Sequence, residues 1–224
     1  SVIEALKHAA WQLGVGLDIR WLDCEDITQK ELAELDGILV PQGWGKRGIN
    51  GKIKAIRFAR ENKVPFLGLC FGMQMAVIEF ARHVAGLKEA NTTEADPSTP
   101  QPVIHIMSDQ RRYLKQHQYG GTIRLGAWPC RIKKDSKLFE IYQSDLITNE
   151  RHRHRYEFNI NYQKRLEKAG MVFSGMSPDN RLVEAIELPD HPFFIGTQFH
   201  PEYISRPLKP HPIFLAFISA ILRK

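Results

Sequence analysis

Residues 64–74, Val-Pro-Phe-Leu-Gly-Leu-Cys-Phe-Gly-Met-Gln, constrain the fold more than any other part of the chain. The apolar run at 64–69 is too short for a helix and predicts a buried strand. Apolar residues at helical spacing follow at once and predict a helix over 73–84. A strand that turns straight into a helix at one reactive residue is a nucleophile elbow, here with Cys70 at the turn. Gly68 and Gly72 would let the strand and the helix cross closely.

Cys70 differs from the other two cysteines in its context. At the start of a helix, free N–H groups such as that of Phe71 favour negative charge, which predicts a nucleophilic thiolate. Cys24 and Cys130 have neither flanking glycines nor a switch from strand to helix. We interpret both as core residues, the usual role of a free cysteine.

A thiol nucleophile needs a general base that a third group orients. Residues 193–199 predict a buried strand, and His200-Pro201-Glu202 follow it. Because Pro201 favours extended backbone at His200, the side chains at 200 and 202 should point to the same side. We therefore expect the Glu202 carboxylate to orient the His200 imidazole, with Cys70 as the third member of a catalytic triad.

A glycine-rich loop, Pro-Gln-Gly-Trp-Gly-Lys-Arg-Gly, occupies residues 41–48 between a predicted strand and a helical stretch at 49–60. It matches the dinucleotide fingerprint G-x-G-x-x-G, so a nicotinamide-dependent dehydrogenase is one interpretation. That fingerprint expects an acidic residue about 20 positions on, at the end of the next strand. Cys70 stands there instead. The other interpretation is that the loop supplies backbone donors to an oxyanion.

Arginine and histidine alternate from 151 to 155. An extended backbone would place Arg151, Arg153 and Arg155 on one face. The alternatives are a nucleic-acid patch, a solvated face, or a metal site from His152 and His154. The tract is short for nucleic acid, and two histidines without cysteine or carboxylate partners make a poor metal site.

Several segments resemble known enzymes. Residues 68–74 and 198–202 resemble the two hallmark motifs of class I glutamine amidotransferases. Within that class, four more segments resemble the glutaminase domains of the CTP synthase family, namely 120–126, 151–159, 174–179 and 190–194. The resemblance covers nearly the whole chain and implies one glutaminase domain over residues 1–224.

The resemblance implies hydrolysis of L-glutamine to glutamate and ammonia. Cys70 would attack the side-chain amide carbon to form a γ-glutamyl thioester, His200 would transfer protons, and Glu202 would orient His200. The amides of Gly43 and Phe71 would form the oxyanion hole and bind the substrate. No metal is implied.

The resemblance also assigns the substrate pocket. Arg155 would meet the glutamine carboxylate and Glu94 the ammonium, while Gln74 and Tyr156 would line the pocket. From the residues alone, Glu94 is only a polar loop residue. Gln42 stands where the family usually has glycine, so a positive φ there would carry a steric cost and slow the enzyme.

The resemblance further implies partners. An amidoligase (synthetase) domain that uses ATP and magnesium would aminate UTP to CTP with the ammonia. GTP would activate the enzyme allosterically, and Lys46 and Arg47 would contribute to this activation. The full-length enzyme would be a homo-oligomer. No phosphate-binding motif G-x-x-x-x-G-K-[ST] occurs here, so we expect an excised domain or one half of a two-chain enzyme. The family begins with a strand and this chain with a helical pattern, so we expect an open sheet edge.

The alternation of elements predicts an α/β fold with a mostly parallel central sheet between helices. The resemblance implies the three-layer flavodoxin-like arrangement of class I glutamine amidotransferases. Strands are expected at 18–22, 37–40, 64–69 and 193–199, and helices at 2–13, 51–60 and 73–84. Residues 91–117 are rich in Pro, Thr and Gln and predict a long excursion over the surface.

Composition narrows the class further. The chain of 224 residues is 43% apolar and 25% charged, which is ordinary for a globular domain. No apolar run approaches the roughly 18 residues of a membrane span, and no signal peptide is evident. The three cysteines suit a reducing cytoplasm. The net charge of +6 is dispersed, which favours a protein surface or a nucleotide effector over nucleic acid.

Two other functions stay open at this point. One is a cysteine hydrolase that acts on γ-glutamyl peptides. The other is a regulatory domain that binds a partner or a nucleotide without catalysis.

Overall fold

The computed structural model describes residues 1–106 and 124–223. Its helices are α1 Val2–Leu13, α2 Gln29–Ala33, α3 Ile49–Glu61, α4 Phe71–His83, α5 Lys137–Tyr142, α6 Gln163–Lys168 and α7 Pro212–Leu222. Its strands are β1 Ile38–Val40, β2 Phe66–Leu69, β3 Ala90–Thr92, β4 Gln101–Ile106, β5 Arg124–Ala127, β6 Cys130–Ile132, β7 Leu146–Ile147, β8 Arg151–His154, β9 Tyr156–Phe158, β10 Val172–Met176, β11 Val183–Glu187 and β12 Phe194–Thr197. The three predicted helices are confirmed with small differences at their ends, and so are three of the four predicted strands. Within the described residues, no helix combines the length and the apolar character that crossing a membrane requires.

The main sheet is mixed, so the prediction of a mostly parallel sheet is wrong. Its described strands lie in the order β1-β2-β12-β11-β10-β6-β7. The pairs β1–β2 and β2–β12 are parallel, and the other neighbours are antiparallel. The short connections on either side of β11 explain the two antiparallel pairs that include this strand, because a short turn can join only antiparallel neighbours. β1 lies at one edge of this order.

The sheet is covered on both faces, which confirms the three layers. Phe66 and Phe194 pack into a core cluster with α3 and α4 on one face. Their chain neighbours Leu67 and Ile195 pack into a second cluster with α1 and α7 on the other face. Successive side chains of a strand point to opposite faces, so these central strands are apolar at nearly every position.

The segment 91–117 is not a surface excursion in its described part. The strand Gln101–Ile106 pairs with β3 and with β9 to form a three-stranded sheet. Val103 and Ile104 on this strand are fully buried. The Pro and Thr residues that favoured a loop lie mainly before this strand, and one of its two pairing partners, β9, is distant in sequence. Residues 107–117 lie outside the described part of the chain.

The strand expected at 18–22 does not form. Arg20 instead pairs with Asp18 and Glu34 on the surface, and the Trp21 side chain is 76% exposed. A strand needs a neighbouring strand for its backbone hydrogen bonds, and no described strand pairs with residues 18–22.

The turn between β2 and α4 is tight for a measurable reason. Cys70 has a φ of 51° and a ψ of −99°, a backbone conformation that residues other than glycine rarely adopt. A Cβ at Gly68 would lie 2.8 Å from the backbone carbon of Gly72, and a Cβ at Gly72 would lie 2.0 Å from the carbonyl oxygen of Val40. The predicted close crossing of strand and helix is therefore confirmed, and it requires both glycines.

Replacing Gly72 with alanine should lower the free energy of unfolding by about 3 kcal/mol, because an added methyl group forces backbone apart in a packed interior. Gly16→Ala is the matched control, since no atom lies within 4 Å of a Cβ at that position. Urea denaturation measures both variants. Equal stabilities would mean that the elbow has room which the structure does not show.

Candidate active site

The carboxyl ends of three neighbouring parallel strands bring the predicted residues together. β1 leads into the glycine loop, β2 into Cys70, and β12 into the segment that contains His200. Leu69 is paired with Thr197, and the Cys70 N–H donates to the Thr197 carbonyl oxygen at 2.6 Å. Ligands of open α/β sheets bind at this end of the strands, so the location is typical of a functional site.

The Cys70 thiol is buried, with 4% of the residue exposed. Burial, followed by the negative charges of Glu202 and Glu94, raises the pKa of the thiol to about 12. Hydrogen bonds from the Phe71 N–H and the Gln198 side chain act in the opposite direction. The expected preference for the thiolate is therefore not met in the resting site, because desolvation outweighs the donors at the helix start. The sulfur is a neutral thiol until a base removes its proton.

The candidate base is His200. Its Nδ1 lies 2.7 Å from Glu202 Oε1, and because a carboxylate only accepts, Nδ1 carries the proton. The other nitrogen, Nε2, is buried and has no hydrogen-bond partner among the described residues. The Tyr203 ring stacks parallel to the imidazole with 4.7 Å between the ring centroids. A neutral imidazole held in this way presents Nε2 as a base.

The contact between His200 and Glu202 is confirmed, but the reason given from sequence is wrong. Residues Pro201–Tyr203 form a 3-10 turn, and His200 has a φ of −112° and a ψ of 81°. The backbone therefore turns after His200 instead of remaining extended. Proline fits the first position of such a helical turn, where its missing N–H costs nothing.

The glycine loop lies against the elbow. A Cβ at Gly43 would be 3.5 Å from the Phe71 ring, and the Phe71 N–H approaches the Cys70 sulfur. Gln42 is not among the residues with positive φ. The steric cost expected at that position is therefore absent, and the oxyanion-hole roles of Gly43 and Phe71 stay a prediction.

The expected substrate residues surround the same space. Glu94 accepts a hydrogen bond from the Gly45 N–H at 3.0 Å. Burial raises the pKa of Glu94, while that hydrogen bond and the charge of Arg155 lower it. The charges of Glu94 and Arg155 also act on the pKa of Tyr156, so these three side chains interact electrostatically. The structure thus groups a cation, an anion and a phenol beside the elbow.

Gln74 connects this group to the nucleophile. Its Nε2 donates to the Tyr156 carbonyl oxygen at 2.9 Å and to Gln198 Oε1 at 3.2 Å. Gln198 Nε2 lies 3.5 Å from the Cys70 sulfur. Gln198 was not singled out from sequence, although its place two residues before His200 was a signal, because residues i and i+2 of an extended segment share a face.

The basic tract forms strand β8, as its alternation predicted. Arg151 and Arg153 are exposed, whereas His152 and His154 are buried. Sequence reasoning considered the histidines as metal ligands and missed that they face the interior. Among residues 1–106 and 124–223, no group of three or more His, Cys, Asp or Glu is arranged to hold a metal ion. Residues 120–123 of the resembling segment 120–126 are not among those described.

The other two cysteines lie away from Cys70. Cys130 is fully buried, which confirms its interpretation as a core residue. Cys24 is only partly buried, so the same interpretation is wrong for Cys24. Its backbone approaches α3 so closely that a Cβ at Gly51 would lie 1.6 Å from the Cys24 carbonyl oxygen.

Comparison with known proteins gives consistent matches. The family model described as glutamine amidotransferase class-I matches residues 1–220. A CTP synthase from Caldanaerobacter subterraneus subsp. tengcongensis is 57% identical over 99% of this chain. The structure described as a Trypanosoma brucei CTPS glutaminase domain with bound acivicin is 39% identical, with a TM-score of 0.92, over 100% of this chain and 87% of that one.

A more distant structure supports the fold alone. A glutamine amidotransferase from Thermotoga maritima matches with a TM-score of 0.57 at 13% identity, over 97% of this chain and 90% of that one. The α/β class and the expected class I glutamine amidotransferase-like arrangement are thereby confirmed. The chain spans 41% of the length of the Caldanaerobacter relative.

Replacing Glu202 with glutamine should make Cys70 more reactive toward iodoacetamide in the absence of any substrate. The negative charge of Glu202 raises the pKa of the thiol, so its removal lowers that pKa and increases the thiolate fraction at a given pH. Mass spectrometry of the Cys70 peptide should show a several-fold faster alkylation. Glu140→Gln, an exposed position, is the control and should change nothing.

A slower alkylation in the Glu202 variant would contradict this account. It would mean that Glu202 assists thiolate formation in the resting protein by holding a charged imidazole beside the sulfur.

Proposed function

The chain belongs to the class I glutamine amidotransferase family, as a glutaminase domain of the CTP synthase type, and we propose that residues 1–224 form one domain that hydrolyses L-glutamine. The observation that carries the proposal is the meeting of the Cys70 elbow with the His200–Glu202 pair at the ends of adjacent strands. The family match over residues 1–220 supports it independently.

The proposed reaction begins with the transfer of the Cys70 proton to His200 Nε2. The sulfur attacks the side-chain amide carbon of glutamine, and the carbonyl oxygen becomes an oxyanion. The N–H groups of Gly43 and Phe71 stabilise that charge. His200 then protonates the departing nitrogen, which leaves as ammonia, and a γ-glutamyl thioester remains.

Water completes the cycle. His200 removes a proton from the water, whose oxygen attacks the thioester carbon, and a second oxyanion forms in the same place. The carbon–sulfur bond breaks and the proton returns to the sulfur, so that glutamate and the free thiol result. Glu202 keeps the proton on Nδ1 and stabilises the imidazolium in both halves. The neutral resting thiol makes this proton transfer obligatory at neutral pH.

The proposed substrate contacts follow from charge. A free amino acid needs a cation for its carboxylate and an anion for its ammonium, which Arg155 and Glu94 supply. Gln74 and Tyr156 form the wall between them and the nucleophile. The proximity of these groups to one another supports the assignment.

The partners of the whole enzyme are part of the proposal. An amidoligase domain would receive the ammonia and use ATP and magnesium to convert UTP to CTP, and this domain itself would need no cofactor or metal. GTP would activate through the glycine loop, where Lys46 and Arg47 are exposed. We place the enzyme in the cytoplasm as a homo-oligomer, away from nucleic acid and membranes. The three free cysteines support that compartment.

Replacing Cys70 with alanine should lower ammonia release from L-glutamine by about a thousandfold or more, because the nucleophile is lost. The fold should persist because alanine retains the surrounding packing, and an unchanged circular dichroism spectrum and Tm would verify this. Cys24→Ser is the matched control and should keep its activity. Activity near that of the unmodified protein in the Cys70 variant would reject the proposal.

The substrate can be tested on the same samples. Free glutamine should be hydrolysed faster than γ-glutamyl dipeptides, because the expected pocket recognises a free carboxylate and a free ammonium. Preference for the dipeptides would favour a γ-glutamyl peptide hydrolase. Absence of ammonia release even with an added amidoligase domain would favour a regulatory domain.

Acivicin provides a direct test, since the Trypanosoma brucei domain is described with it bound. We expect acivicin to modify Cys70, detected as a mass increase of the peptide that contains residues 64–74, and L-glutamine to slow that reaction. Modification of Cys24 or Cys130 instead would contradict the assignment of the nucleophile.

A further inference from the structure

The Tyr156 carbonyl oxygen sets the direction of a buried hydrogen-bond chain that reaches Cys70. A carbonyl oxygen can only accept. Gln74 Nε2 lies 2.9 Å from it, and His154 Nδ1 lies 3.0 Å from it. Gln74 must therefore turn its amide nitrogen toward Tyr156, and His154 must carry its proton on Nδ1.

On the side of the nucleophile, each donor fixes the next. The second N–H of Gln74 points to Gln198 Oε1 at 3.2 Å. Because the Gln198 oxygen is engaged in this way, its amide nitrogen faces the Cys70 sulfur at 3.5 Å. Gln74 and Gln198 are almost completely buried, so no solvent competes for these bonds. An N–H group is therefore aimed at the sulfur.

On the other side, the chain continues into the interior. With its proton on Nδ1, a neutral His154 can only accept at Nε2, and His152 Nδ1 lies 3.0 Å away. Burial, followed by the charge of Arg124, lowers the pKa of His154 to about 3. Both effects also lower the pKa of His152. The two imidazoles are therefore neutral at physiological pH, and the order of donors and acceptors is preserved.

A buried ion pair lies beside the far end of the chain. Arg124 donates to both carboxylate oxygens of Glu184, at 2.6 and 3.0 Å. His152 Nε2 lies 3.6 Å from Glu184 Oε2. Arg124 and Glu184 are nearly fully buried, and a bidentate pair of this kind fixes geometry as well as charge. His152 Nε2 makes no hydrogen bond among the described residues, so the hydrogen-bond chain ends at His152, beside this ion pair.

We propose that Gln198 is a further catalytic residue, whose side-chain N–H stabilises the Cys70 thiolate, and that Gln74 and His154 are positioning residues which hold Gln198 in the required orientation. The inference rests on the proposed role of Cys70 as nucleophile. The sulfur faces the negative charges of Glu202 and Glu94, and a donor on the protein side offsets them when the proton leaves. His154 itself faces Arg124, His152 and His200.

The first test is the alkylation of Cys70 by iodoacetamide in the ligand-free protein, followed by mass spectrometry from neutral to alkaline pH. Gln198→Met keeps the length of the side chain and removes its N–H groups. We expect Cys70 to react about tenfold more slowly at each pH, because a hydrogen bond to a charged group is lost. Cys24 in the same sample serves as an internal reference with an unchanged rate.

The second test addresses the positioning role. His154→Leu should slow the alkylation of Cys70 although His154 does not touch the sulfur, and His154→Asn should restore it, because the asparagine amide can donate from the position of Nδ1. In the Gln198→Met background, His154→Leu should cause no further loss, since both changes act through one bond. If His154→Leu merely loosened the packing around the site, the thiol would become more exposed and its alkylation would be faster instead of slower.

The outcomes separate the two proposals. An unchanged Cys70 rate in Gln198→Met overturns the role of Gln198. A rate in His154→Leu that is unchanged or faster, or a loss that simply adds to that of Gln198→Met, overturns the positioning role. Cys70 that reacts with neither iodoacetamide nor acivicin in the unmodified protein overturns the proposed nucleophile and this inference together. A reactive Cys70 with no effect of Gln198→Met leaves the glutaminase proposal standing and removes only the inference.

Discussion

The parallel pairing of Phe66–Leu69 with Phe194–Thr197 determines where every group of the site lies. One strand ends at the nucleophile, the other leads to the histidine–glutamate pair, and the hydrogen bond from Cys70 to Thr197 closes the ladder between them. A shift of one residue would turn each buried side chain to the opposite face. Because both faces of these strands are packed against helices, the core itself enforces the register.

The electrostatics of the site follow from the same burial. A thiol enclosed between two strand ends loses its hydration, and the glutamate that orients the imidazole adds a negative charge nearby. These effects favour the protonated form of the sulfur in the resting site. Because the thiol is buried, fixed donors rather than water must stabilise the anion when it forms.

Local patterns explain why the nucleophile, its base and the surrounding α/β architecture could be predicted from sequence. The elbow is encoded within residues 64–74, and the histidine–glutamate contact within three residues. The errors in the strand assignments concern pairing partners that the local sequence does not identify. Neither the buried strand Gln101–Ile106 nor the missing strand at 18–22 could be assigned without knowing which strands lie alongside. The antiparallel half of the sheet likewise depends on turns that carry no strong signal.

The histidines of β8 illustrate a different limit. Alternation correctly separated arginines from histidines, but it does not state which face is buried. Basic residues usually face solvent, and here the Tyr156 carbonyl oxygen and the nearby Arg124–Glu184 pair give the histidines a polar interior. That pair joins a strand after the undescribed segment to a strand of the main sheet, so no short stretch of sequence contains the information.

The crowding at Gly68 and Gly72 shows that the shape of the elbow depends on different residues from its chemistry. Backbone atoms of neighbouring elements leave no room for a side chain at the two flanking positions. No comparable crowding requires the residue between them to carry sulfur. A lineage that inherited this scaffold would be free to exchange the reactive atom and so to change its chemistry. It would not be free to enlarge Gly68 or Gly72, so a change of chemistry at the elbow is confined to position 70.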